Sequence, residues 1–144
     1  MPAIETKKKI TKVREKIMTD IKNSGKKKYK TTFKDIKSYF NLINETVFEN
    51  KLSPFNDVKI KNIQPIKGKG IWGQVVIYEW KRKGTRQYSL EMLPSYPTKD
   101  EFLNTLGHEM VHLYQMANCG DTGNHNALFY SFQPKLKSIG LGNI

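Results

Sequence analysis

Residues 106–129, LGHEMVHLYQMANCGDTGNHNALF, contain all three histidines of the chain: His108, His112 and His125. The first two stand four residues apart, with Glu109 beside the first. Residues i and i+4 share one face of a helix, so His108 and His112 can aim a ring nitrogen each at one ion while Glu109 is left to act as a base. Metal-assisted hydrolysis is the chemistry such a group suits, and zinc is the metal that two or three imidazoles and an open position favour.

A catalytic zinc takes three protein ligands and keeps one position open, so a third ligand must follow His112. Asn118 stands six residues on, where a metzincin carries its third histidine, and no glutamate occurs after Glu109, which removes the thermolysin-type arrangement. His125 and Asp121 remain. Gly120 and Gly123 let the chain reverse, and Asn124 offers a cap for a new helix beginning at His125, whose ring would then face the first pair. Imidazole suits zinc, and Asp121 lies in the turn itself, so the spacing favours His125 and leaves Asp121 a turn or supporting role. The competing reading is a noncatalytic, zinc-stabilised nucleic-acid-binding protein, in which a closed structural site would need Cys119 as its fourth ligand.

These residues need a helix to position them. Thr98 with Glu101 three residues on forms a capping box after Pro97, which predicts a helix over about 99–117. Phe102, Leu103, Leu106, Met110, Leu113, Tyr114 and Ala117 make one broad apolar face, with His108 and His112 nearly opposite and Glu101, Asn104, Thr105 and Gln115 beside them. Upstream, Phe33, Ile36, Tyr39, Phe40, Ile43 and Phe48 predict a helix over about 32–48, ended by the turn residues Pro54 and Asn56. Three strands follow, in DVKIKNI, GIWGQVVIYEW and RQYSLEML. The expected fold class is α+β, a small, mainly antiparallel three-stranded sheet packed on the histidine-bearing helix and its flanking helices.

With 144 residues the chain suits one core. Its charge is uneven: residues 1–30 hold eleven Lys or Arg against three acids, a net +8 of the total +12. Ile10, Val13, Ile17 and Ile21 recur there at helical spacing, so residues 1–30 read as a basic amphipathic helix and arm. That arm either rests its isoleucine stripe on the domain at 31–144 or binds a polyanion, DNA foremost. A second basic group, Lys81, Arg82, Lys83 and Arg86, falls between the second and third strands. One cysteine excludes an internal disulfide and a multi-cysteine zinc ribbon, and no apolar run approaches the ~20 residues of a membrane span. A cytoplasmic monomer with no membrane contact is the expectation.

TLGHEMVHLYQ, a glycine-bearing turn and GNHNALF together resemble the SprT-like zinc metalloproteases, which pair HExxH with a later histidine followed closely by an aromatic residue. YFNLINETVFENKLSPFNDVKI resembles that family's opening helix, turn and first strand, so the likeness spans about residues 33–133. It implies a zincin-like domain with His108, His112 and His125 as zinc ligands, Glu109 as catalytic base, and proteolysis of proteins bound or crosslinked to DNA. A small basic member would suit a bacteriophage or bacterial accessory enzyme. Asn126 departs from the family, which often has glycine there. Tyr114, Tyr130 and backbone amides are the candidate oxyanion donors, and the expected place for a substrate strand is a sheet edge at RQYSLEML.

Overall fold

The computed structural model describes residues 4–80, 82, 84–121 and 123–142. Lys81 and Lys83 of the second basic group lie outside the described residues. Elements run in the order α1 (Ile4–Ser24), β1 (Tyr29–Lys30), α2 (Phe33–Val47), β2 (Asp57–Ile60), β3 (Gly73–Trp80), β4 (Thr85–Met92), β5 (Ser95–Tyr96), α3 (Lys99–Leu113), a π-helical turn (Tyr114–Asn118), α4 (Ala127–Tyr130) and α5 (Gln133–Lys137). Helices and two small sheets make an α+β fold.

The larger sheet has the order β2-β4-β3. β3 and β4 form an antiparallel hairpin from Gly73↔Met92 to Trp80↔Thr85, while β2 runs parallel to β4 from Asp57↔Ser89 to Ile60↔Met92. The sheet is thus mainly antiparallel, as expected, with eight antiparallel residue pairs against four parallel ones; the parallel pairing of β2 is the part the sequence did not show. β4 inserts between β2 and β3, and because β3 runs opposite to β2, the strand that returns from it through a tight hairpin must run in the direction of β2. The same order corrects the expected substrate edge. RQYSLEML lies in the central strand, whose hydrogen-bonding groups face neighbours on both sides, and the edge strands are β2 and β3. β1 and β5 form a separate antiparallel pair, Tyr29↔Tyr96 and Lys30↔Ser95.

Helix α2 starts at the N-cap Thr32, whose side chain accepts from Asp35 N–H, and buries Ile36, Tyr39, Phe40, Ile43 and Val47. These meet Phe102, Leu103, Leu106 and Met110 of α3 and Leu90 and Met92 of β4 in one buried cluster. Aromatic rings join the layers: Tyr29 lies 4.4 Å from Phe102, and Phe48 stacks on Phe132 at 5.0 Å. Helix α1 contributes Val13 and Ile17 to this cluster, with Ile10 and Ile21 partly buried beside them. Its lysines, from Lys7 to Lys22, remain exposed. No helix among the described residues is long and apolar enough to cross a membrane.

Candidate metal centre

α3 begins as the capping pattern requires, with Thr98 Oγ1 accepting from Glu101 N–H. It carries Phe102, Leu103, Leu106, Met110, Val111 and Leu113 into the core. The polar side of this helix is not a solvated face. Glu109 is 4 % exposed and Asn104 8 % exposed, and the side chains of His108 and His112 are partly buried. The start of β3 lies against this side. A Cβ on Gly73 would come within 2.9 Å of Thr105 Cγ2, 3.3 Å of Met92 Sδ and 3.4 Å of Glu109 Cγ, so the absence of a side chain at 73 is what lets the strand pack against Thr105, beside Glu109.

The three histidines converge. His108 Nε2 and His112 Nε2 are 3.0 Å apart, His125 Nε2 is 3.2 Å from His112 Nε2, and the ligand atoms of all three lie within 4.8 Å of one another. Imidazole nitrogens bound at ~2.05 Å to one tetrahedral zinc stand about 3.4 Å apart, so the donor set fits that ion. Phe129, 1 % exposed, packs against all three rings at centroid distances of 4.9, 4.9 and 4.5 Å. Among the described residues the group comprises the three histidines alone, and Cys119 is exposed and outside it.

A buried amide orients the group. The π-helical turn sets Gln115 three residues after His112, with 0 % exposure, and its Oε1 lies 2.9 Å from His112 Nδ1. Gln115 Nε2 faces three acceptors: Asn124 C=O at 2.8 Å, Asn126 Oδ1 at 3.1 Å and Asp121 Oδ2 at 3.3 Å. That surplus of acceptors fixes which end of the amide is which. Oε1 must then accept from His112 Nδ1–H, leaving the Nε2 lone pair aimed into the cluster. Asn126 completes the tie, donating to Asp121 Oδ2 at 2.9 Å and accepting from Phe129 N–H as the N-cap of α4.

The sequence pattern places that cap at Asn124 with a helix from His125, whereas the helix starts two residues later, at Ala127, and His125 sits in the bend before it. Asp121 has the supporting role expected of it and stays outside the ligand group. Gln115, noted only for its position beside the histidines, and Gly73, read only as part of a strand, are the site residues whose roles sequence reasoning missed. A glutamine three residues past the second histidine is the signal that was available for the first. Of the two tyrosines, Tyr114 is held between Phe48 and Phe132, at 5.7 and 5.0 Å, while Tyr130 is exposed against Phe129 at 5.2 Å.

At His108 and His112 the surroundings favour the neutral imidazole, the form that can ligate a metal. Burial, and then the neighbouring His112 and His125, push His108 down to about 4. Burial also lowers His112, aided by His125 and opposed by its bond to Gln115. Burial raises the Glu109 carboxyl to about 8, and a cation held by the adjacent histidines would work against that rise. Glu109 Oε2 is 3.9 Å from His108 Nε2. Beside them opens a cleft of about 450 Å³ lined by residues 70–73, Glu101, Asn104, Thr105, His108 and Glu109. One wall is fastened by Tyr96, whose O–H donates to the Trp72 carbonyl and accepts from Leu93 N–H. Compared with known proteins, the chain matches no family model, no curated protein and no solved structure.

Proposed function

We propose that the protein is a zinc-dependent metalloendopeptidase of zincin-like architecture that hydrolyses peptide bonds of other proteins. The observation that carries the reading is the meeting of three imidazole nitrogens beside one buried glutamate, with His108 and Glu109 lining a cleft of about 450 Å³. His108, His112 and His125 would hold the ion, which supplies a Lewis acid to polarise the scissile carbonyl. Glu109, whose Oε2 lies 3.9 Å from His108 Nε2, takes a proton from the attacking water and returns it to the leaving amine. Edge strand β3, which begins at the cleft, offers its outer hydrogen-bonding groups to an extended substrate. Tyr130 is the side-chain candidate for the oxyanion, since Tyr114 is packed among aromatic rings.

The resemblance to SprT-like proteases and the exposed lysines of α1 favour DNA-associated or DNA-crosslinked proteins as substrates. The test is digestion of a DNA-bound basic protein, with and without DNA, by the wild type and by Glu109→Gln. We expect about one zinc per chain in both, from three convergent imidazoles, and a loss of about 10²–10⁴-fold in cleavage by the variant, the scale of general-base catalysis. Equal cleavage by the two overturns the assignment of the base. A noncatalytic zinc-stabilised binder would instead lose its zinc in Cys119→Ala and cleave nothing.

A further inference from the structure

Glu101 stands on the same side of α3 as the histidines, seven residues before His108, which is about 10 Å along a helix. The capping box read from the sequence would spend its carboxylate on the Thr98 N–H. Only half of that box forms. Thr98 Oγ1 accepts from Glu101 N–H, but Glu101 Oε2 is shut away from water without a hydrogen-bond partner. Among the described residues, Thr31 Oγ1 and Ser89 Oγ are the other buried side-chain atoms so left. Both are hydroxyls, and neither belongs to a residue of the cleft. A buried carboxylate oxygen with no donor is the costliest of the three to leave unpaired, and its residue, Glu101, lines the same cleft as His108 and Glu109.

Resting on the endopeptidase reading, we infer that Glu101 forms a subsite for a cationic side chain, so that the enzyme selects lysine or arginine at a fixed position a few residues from the bond it cuts. An extended peptide advances about 3.3 Å per residue, so the 10 Å between Glu101 and His108 spans about three positions or fewer once a long side chain makes up part of the distance. The opposite wall suits the stem of such a side chain. Trp72 is 46 % exposed and borders the cleft with Ile71, which gives the methylene stem an apolar surface while the charged tip meets the carboxylate. This local acidity opposes the overall charge of +12, which on its own would repel a basic chain.

A free peptide amino terminus carries the same ammonium chemistry, and the experiment separates the two sources. Zinc-loaded Glu109→Gln protein, which keeps its peptides intact, is titrated with fluorescent peptides: an N-acetylated peptide containing one lysine, its counterpart with glutamine in that place, and a lysine-free peptide with a free amino terminus. We expect the lysine peptide to bind at least about tenfold more tightly than the glutamine peptide, the scale of one charge-assisted hydrogen bond. Adding Glu101→Gln should erase the difference, and Glu101→Lys should shift preference to a glutamate-containing peptide, with zinc content unchanged in each. Equal binding of the lysine and glutamine peptides, or a preference that survives Glu101→Gln, overturns the inference. So does a Glu101-dependent preference confined to the free amino terminus. If the expected binding pattern holds but the wild type cuts neither peptide, hydrolysis is the reading that fails and the subsite stands.

Discussion

Helices α1 and α3 each set an apolar stripe beside many polar residues, and they dispose of the polar residues in opposite ways. In α1 the stripe of Val13 and Ile17 is buried and the lysines stay in water. In α3 the second side is covered as well, so that Glu109 lies out of water, and the π-helical turn that follows holds Gln115 in the same condition. Exposed charge costs a fold little and says little about chemistry. Buried polar groups are costly unless paired, and here they fix a histidine tautomer or face a cluster of imidazoles. Charge count draws attention to α1, but the sites of expected chemistry lie where polar residues are few and enclosed.

The first way to break this contrast is to ask whether α1 belongs to the folded unit at all. Ile17 is 0 % exposed and shares its cluster with α2 and α3, so Ile17→Ala should destabilise the protein by about 2–5 kcal/mol, as for other large-to-small core changes. Urea denaturation would read it. A cost below about 0.5 kcal/mol, the level of a surface substitution, would make α1 an appendage and restore the picture of a detachable arm.

On the side of α3, Gln115→Leu keeps bulk while removing the acceptor for His112 Nδ1–H and the donor to the Asn124–Asn126 turn. Partners that orient a histidine ligand are worth about 10–100-fold in metal affinity. Competition with a zinc chelator would measure it. If the variant binds zinc as the wild type does, enclosure of polar groups in this helix is a packing matter and loses its meaning for the site.

Much of this is legible in the sequence, for identifiable reasons. The 3.6-residue period finds α2 to within a residue at each end and α3 at its start, though the last four residues expected of α3 belong to the π-helical turn, and strand runs rich in β-branched residues locate β2, β3 and β4. The convergence of His108, His112 and His125 follows from spacing and from the scarcity of alternatives. Strand order does not follow: alternation says which face of a strand is buried, not which strand lies in the middle, so the central strand β4 reads as an edge. Gln115 is hidden for a similar reason. Its partners depend on a π-helical turn that rotates it out of the α-helical wheel, and on Asn124 and Asn126, which only a tertiary fold brings back. The release of Glu101 from its capping box is equally invisible, because the motif that marks a helix start is satisfied by half of its bonds.

A smaller effect sharpens the reading of the exposed side of α1. Replacing Lys7, Lys8 and Lys12 together with glutamine leaves Val13 and Ile17 untouched and removes three exposed charges. If these side chains meet DNA phosphates, affinity for a short duplex should fall several-fold at low salt, and the log–log salt slope should fall by about 0.9 for each phosphate no longer neutralised. Zinc content and cleavage of a free, unstructured protein should not change. An unaltered slope would leave the lysines as a solvated face and nothing more.

The smallest expected effect concerns how α1 is held to its neighbours by a polar bond. Asp20 Oδ2 accepts from Tyr39 O–H of α2 at 2.6 Å and from Lys16 Nζ at 3.1 Å. Burial by itself raises the Asp20 carboxyl, but those two bonds and the charges of Lys16 and Lys99 outweigh it and hold the group below its ordinary 3.8. A carboxyl with a depressed folded-state pKa contributes stability that is complete above its unfolded value and is lost as pH falls through the folded one. Asp20→Asn should therefore cost about 1 kcal/mol at pH 7, a typical net hydrogen-bond contribution, and the difference from wild type should shrink below about pH 4, near the unfolded carboxyl's pKa. Urea unfolding of both proteins at pH 7 and pH 3 would measure this. A cost that is the same at both pH values would mean that the shape of the side chain, rather than its charge, seats α1 against α2. The bond of α1 that most resembles the enclosed polar groups of α3 would then have no electrostatic meaning.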